Sequence, residues 1–220
     1  MSDRAQAPFF DGSFPHRWQA EILPARPLIL PARHFVYPRA AEEVERGALE
    51  VLIRPGDSSA QEFLAGARGP SHLGTGEVDS TIPPITQPQE FLATCALGFR
   101  DPAVPTGLWS TPNPEEICAV SGGYAYIIHT AAPERFTMIE YRPVLDIRPA
   151  PAAGVLLFVG HHSILAWGAD GQAWQSEKLS DEGITLEAID GEILRGLGWD
   201  MHTDKEHAFA LNLKTGLRKS

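Results

Sequence analysis

Residues 199–207 read Trp-Asp-Met-His-Thr-Asp-Lys-Glu-His, the most ligand-like run in the chain. Asp200, His202, Asp204 and Glu206 alternate, so on a strand they share one face. A straight strand cannot bring all four to one ion. At about 3.3 Å per residue, Asp200 and Glu206 stand about 20 Å apart, whereas ligands approach a metal to about 2.0–2.6 Å. Only a curled connection gathers them. The run begins like a calcium loop, but His202 stands where an oxygen ligand belongs and no glycine follows at the turn position. A divalent transition metal such as zinc or nickel suits this mixture of imidazole and carboxylate better. The competing expectation, which the geometry favours, is a solvated, charged hairpin connection.

A second candidate is the pair His161 and His162, which falls between two apolar runs. An imidazole titrates near pH 6.5, so adjacent histidines could serve as general acid and base. No serine, cysteine or carboxylate stands at a recognisable motif spacing, and Ser163 lacks a G-x-S-x-G setting. Trp167, Trp174 and Trp199 form a third set, able to stack on a sugar or a base. Burying one indole removes roughly 150–250 Å² from water, about 4–6 kcal/mol gross, so packing between sheets is the stronger expectation. Cys95 and Cys118 each sit inside an apolar run without CxxC spacing, as buried reduced thiols do. His34, His72 and His129 are isolated. Gly196 and Gly198 before Trp199 point to a bulge or a close backbone approach. The chain contains no phosphate-loop or dinucleotide fingerprint.

The elements that must position these groups are strands. All 19 prolines lie at or before Pro151, leaving the last third free to form uninterrupted sheet. Period-two alternation runs through Leu49, Val51 and Ile53, and again through Phe91, Ala93, Cys95, Leu97 and Phe99, so these two strands can pair. Residues 117–129 and 156–168 align without a gap at an offset of 39, each reading strand, connection, strand. Further strands are expected over 136–141, 144–147, 172–177, 184–189, 192–197 and 207–213, with Gly-containing turns between most of them. The outcome is an all-β fold, an antiparallel meander of blade-like repeats or alternatively a two-sheet β-sandwich.

Residues 156–177 (Leu-Leu-Phe-Val-Gly, Ile-Leu-Ala-Trp-Gly-Ala-Asp-Gly, Trp-Gln-Ser) and 208–216 (Ala-Phe-Ala-Leu-Asn-Leu-Lys-Thr-Gly) resemble blades of β-propellers of the quinoprotein-like repeat type. The resemblance covers 116–220 and implies a period of about 40 residues. It implies an incomplete or small propeller-like array, because rings take four to eight blades. It implies no quinone, and no cofactor is expected.

Residues 1–47 read as a proline-rich N-terminal arm, too aromatic for a disordered tail, with one helical turn over 40–46. Residues 48–220 read as a single β-domain carrying a long flexible insertion at 55–88, rich in Gly, Ser and Pro. A formal charge of −10, from 28 acidic and 18 basic residues, repels phosphate backbones and anionic lipid, so neither nucleic acid nor membrane is expected as a partner. No apolar run reaches the roughly 18 residues of a membrane helix, and 1–14 lacks a signal-type core, which points to the cytoplasm.

The expected function is non-catalytic binding of a protein partner, in an immunity-type or scaffolding role. The alternative is a metal-dependent or histidine-based small-molecule enzyme with its site near His161, His162, Asp200 and His202. Uncovered edge strands also make a homodimer an expectation.

Overall fold

The computed structural model describes residues 9–39, 46–56 and 89–219. The helical turn over 40–46 and the insertion at 55–88 lie outside the described residues, apart from their ends. The described chain contains sixteen strands and no α-helix.

The arm supplies three strands, β1 (Phe9–Asp11), β2 (Trp18–Leu23) and β3 (His34–Tyr37). With β4 (Ala48–Pro55) and β5 (Phe91–Ala96), β2 and β3 build sheet I in the order β2-β4-β5-β3. The expected pairing of β4 with β5 is present, with Leu49 opposite Cys95, Val51 opposite Ala93 and Ile53 opposite Phe91. Sheet II takes β1 at its edge, parallel to β6 (Gly107–Ser110), and continues through β7 (Glu116–Ser121), β8 (Tyr124–His129) and β9 (Phe136–Met138). Sheet III is a meander of β10 (Asp146–Ala150), β11 (Val155–Val159), β12 (Ile164–Gly168) and β13 (Gly171–Gln175). Sheet IV holds β14 (Ile184–Asp190), β15 (Ile193–Asp200) and β16 (Lys205–Asn212). Two elements differ from the pattern reading. β6 falls where no strand is expected, and β10 begins at Asp146 and runs through Pro149, which an edge strand tolerates.

Three apolar layers join the sheets in the row I, II, III, IV. Val51, Ile53, Phe91 and Ala93 of sheet I meet Ile117, Ala119, Tyr126 and Ile128 of sheet II. The opposite face of sheet II, with Cys118, Val120, Ala125 and Ile127, meets Leu156, Phe158 and Leu165 of sheet III. Sheet III then turns Leu157, Val159, Ile164 and Ala166 toward Leu194, Phe209 and Leu211 of sheet IV. The two middle sheets are thus buried on both faces, which is why β7 and β11 are apolar without alternation. Among the described residues no apolar cluster joins sheet IV back to sheet I, and no sheet closes into a barrel.

The 39-residue offset has a structural meaning. Ile117 and Leu156, equivalent by that offset, each face the preceding sheet, and Cys118 and Leu157 each face the following one. The hairpins β7-β8 and β11-β12 therefore repeat in position and in orientation, as blades do. Gly122 and Gly123 close the first hairpin with φ of 55° and 76°, where a side chain would be strained.

Candidate functional site

The turn between β11 and β12 exposes both His161 and His162, with ring centroids 6.1 Å apart. Their carbonyls hold the connection leading to sheet IV: Leu179 N donates to His162 O at 2.7 Å and Gly183 N to His161 O at 2.9 Å. The same connection reaches the end of β15, where Asp181 N donates to Trp199 O at 2.8 Å. Ser180 Oγ donates to Trp199 O at 3.1 Å and accepts from Trp199 N at 2.9 Å. The two histidine-bearing turns therefore share one edge of the array.

The 199–207 run is not one strand. It folds back between β15 and β16 so that Asp200 pairs with Lys205 and Trp199 with Glu206. Asp200 Oδ1 accepts from the backbone N–H groups of His202 (2.8 Å) and Thr203 (3.1 Å), which caps the turn. Those bonds, Thr203 first, pull its carboxyl below the usual range. Asp204 takes the left-handed conformation at φ 52°. His207 Nε2 lies 3.0 Å from Thr203 Oγ1 and 4.0 Å from Asp200 Oδ2, while His202 and Glu206 stand in solvent. Asp181 joins the turn by accepting from Met201 N at 2.9 Å, and its carboxyl is held low by Lys178 and then by that amide. Among the described residues no three His, Cys, Asp or Glu side chains are arranged to hold one metal ion.

The tryptophans occupy three different places. Trp167 is buried between sheets II and III, and its Nε1 donates to Glu116 Oε2 at 3.1 Å. Burial pushes the Glu116 carboxyl up against the opposing pull of that bond. Trp174 is on the other face of sheet III, donating to Leu213 O at 2.7 Å and packed so closely on Gly216 that a Cβ there would meet its ring at 2.5 Å. Trp199 is half-buried on sheet IV. The close approach expected at the nearby glycines is present: a Cβ on Gly198 would stand 2.1 Å from Leu179 O, and one on Gly196 2.5 Å from Thr185 O. Cys95 and Cys118 are fully buried and unpaired, and burial pushes both thiols up.

Pattern reading missed the most exposed apolar feature among the described residues. Strands β2 and β3 form opposite edges of sheet I, so the 24–33 connection has to cross from one to the other. The face turned away from sheet II carries a buried polar relay: Thr94 Oγ1 donates to Glu50 Oε2 at 2.6 Å, and His34 Nε2 is 2.9 Å from Thr94 Oγ1. With the Thr94 proton committed to Glu50, His34 must donate through Nε2–H. Arg26 Nη2 reaches over to 3.4 Å from the same imidazole nitrogen. Burial first, and Arg26 second, hold the His34 pKa below its ordinary value against the opposing charge of Glu50. Arg33 pins the C-terminal end of the connection, donating to Gln89 O at 2.8 Å with its guanidinium 5.7 Å from the Phe35 ring. Between Arg26 and Arg33, Leu28, Ile29 and Leu30 are 104%, 89% and 42% exposed. The available signal was Pro27-Leu-Ile-Leu-Pro31, an apolar run too short for a strand and bounded by prolines.

A cleft of about 690 Å³ opens at the edge of sheet II that carries β1. Phe9, Phe99, Val104 and Trp109 line it with Asp101 and Asp146, and Phe9 packs on Trp109 with centroids 5.7 Å apart.

No protein-family model matches the chain, and a search of curated proteins finds no match.

Proposed function

We propose that the chain is a non-catalytic binding protein that engages a protein partner through the 28–30 tip. The observation that carries this reading is the near-complete exposure of Leu28 and Ile29 on a proline-bounded connection that Arg33 ties to Gln89 O. Leaving such side chains in water forgoes about 1.5–3 kcal/mol each, which a partner pocket recovers. Prolines at 27 and 31 limit the conformations of the free loop, so little ordering cost opposes docking. Two buried, unpaired thiols suit a reducing compartment, the cytoplasm. The stacked, repeated hairpins suit a propeller-like scaffold that presents such a connection.

The test compares the wild-type chain with the double variant Leu28→Asp/Ile29→Asp. A partner rebuilt from purified components should bind the first and lose at least about tenfold affinity for the second. Equal affinity for both chains would remove the tip from the interface.

A second reading, a histidine-based or metal-dependent enzyme, draws on the shared edge of His161, His162, Asp200, His202 and His207. Zinc titration monitored by imidazole NMR shifts tests it. Coordinated shifts in both turns would favour this reading, and shifts in neither would dismiss it.

A further inference from the structure

We propose that the cleft beside β1 is a small-molecule site for a neutral aromatic compound carrying a carbonyl-type oxygen, which the Trp109 indole N–H recognises. This site goes beyond the binding reading of the 28–30 tip and does not depend on it.

Three buried indoles of the molecule each have an acceptor. Trp18 Nε1 donates to Glu116 O at 3.0 Å, Trp167 Nε1 to Glu116 Oε2 at 3.1 Å and Trp174 Nε1 to Leu213 O at 2.7 Å. An indole can only donate, so a buried one is expected to be matched in this way. Trp109 breaks the pattern. It is 5% exposed, as deeply placed as the other three, yet its Nε1 meets no acceptor among the described residues. Nor is that nitrogen sealed in the core, since Ser121 Oγ is the only enclosed and unpartnered side-chain polar atom among the described residues. The part of Trp109 left open therefore includes its N–H, and what it opens on is the cleft that the residue lines.

The rest of the lining offers donors more readily than acceptors. Thr106 Oγ1 accepts from Gly122 N at 2.9 Å, which leaves its hydroxyl proton without an acceptor among the described residues. The acceptors are already engaged: Asp101 Oδ1 takes Ala103 N at 2.8 Å, Asp146 Oδ2 is bonded to Arg148 Nε at 2.7 Å, and Pro105 O takes Gly123 N at 3.0 Å. Arg100 is likewise spent on Arg46 O at 2.7 Å. With its charges committed to the protein and two donors to spare, the cleft suits an uncharged molecule that brings an acceptor.

The apolar part of the cleft calls for an aromatic body. Phe9 and Phe99 are 50% and 42% exposed beside Trp109, and rings of this kind favour tilted and edge-to-face partners. The volume of about 690 Å³ falls in the range of small-molecule sites, about 300–1,000 Å³. Gly107 lets β1 close this wall, because a Cβ there would stand 2.4 Å from Phe9 O.

Two probes test the site: acetylnaphthalene, which carries the oxygen, and isopropenylnaphthalene, which has the same shape without a strong acceptor. Titration of the wild-type chain with acetylnaphthalene should move the Trp109 indole N–H resonance downfield and saturably, leaving those of Trp18, Trp167 and Trp174 in place. Isopropenylnaphthalene should cause no downfield shift. Trp109→Phe keeps a ring but removes the donor, and should weaken acetylnaphthalene about 3- to 10-fold while changing isopropenylnaphthalene less than about twofold. Should that variant fail to fold, the wild-type titrations decide. An unmoved Trp109 signal up to the solubility limit of acetylnaphthalene overturns the proposal, and so does an equal loss of both probes in Trp109→Phe. Leu28→Asp/Ile29→Asp should bind acetylnaphthalene as the wild type does, which separates this site from the tip.

Discussion

Sheets I and IV end the same row, yet they meet solvent differently. The outer face of sheet I is closed around its centre, where Leu92, Thr94 and Ala96 are fully buried beside the Glu50 relay, while Gln19, Glu21 and Arg54 stay exposed toward the β2 edge. Sheet IV leaves Thr185, Arg195 and Ala208 exposed on the side away from sheet III, with Leu197 and Trp199 half covered. Its stability must come from one face. The exposed 28–30 tip is found at the sheet I end of the row.

The largest expected effect sharpens this difference. Leu194→Ala empties the inner face of sheet IV, where the side chain is fully buried, and should cost about 2–5 kcal/mol. Trp199→Ala, on the outer face, should cost much less. Urea unfolding of both variants measures the gap, and equal losses would mean that the outer face is as well packed as the inner one.

At the other end, Thr94→Val keeps the shape but removes the donor from buried Glu50. The cost should be about 1–3 kcal/mol, because a buried acceptor loses its partner. Amide exchange in β3, β4 and β5 should accelerate while sheet IV stays unchanged. Uniform acceleration along the row would erase the distinction between the ends.

The smallest effect is a pH dependence confined to sheet I. His34 has its folded pKa below the ordinary 6.5, so between these two values the unfolded chain binds more proton than the folded one. Stability contributed by neutral His34 is therefore complete above about pH 6.5 and declines as pH falls toward the folded pKa. Thermal unfolding from pH 7.5 to 5 should show this slope in the wild type and a shallower one in His34→Gln. An identical slope in both would assign the titration elsewhere.

Much of this architecture was legible because it is local. Alternation in 49–53 and 91–95 located two paired strands, and the ungapped 39-residue offset located two successive hairpins with their facing preserved. The arm was less legible, since β1, β2 and β3 are made strands by distant partners rather than by their own pattern. The 199–207 run misleads for the opposite reason: its alternation is that of a strand, but Asp200 caps a turn and reverses the chain. Trp167 and Trp174 look like a stacking set in sequence, and a register shift at Ala166/Trp167 accompanies their placement on opposite faces of sheet III. Exposure of the tip could not be read from an apolar triplet alone, because the same residues would serve equally well inside a core.

The arm is fastened at three points by bonds of very similar reach: Phe14 N to Ser110 Oγ, Trp18 Nε1 to Glu116 O, and Tyr37 Oη to Pro133 O, spanning 96, 98 and 96 residues. During synthesis at about 5–20 residues per second, each anchor emerges from the ribosome roughly 5–20 seconds before the group it will bond. The first segment made is thus among the last to settle. A ribosome-bound chain halted after residue 56 would hold β2 against β4 at most, with β1 and β3 still waiting for the strands that complete them.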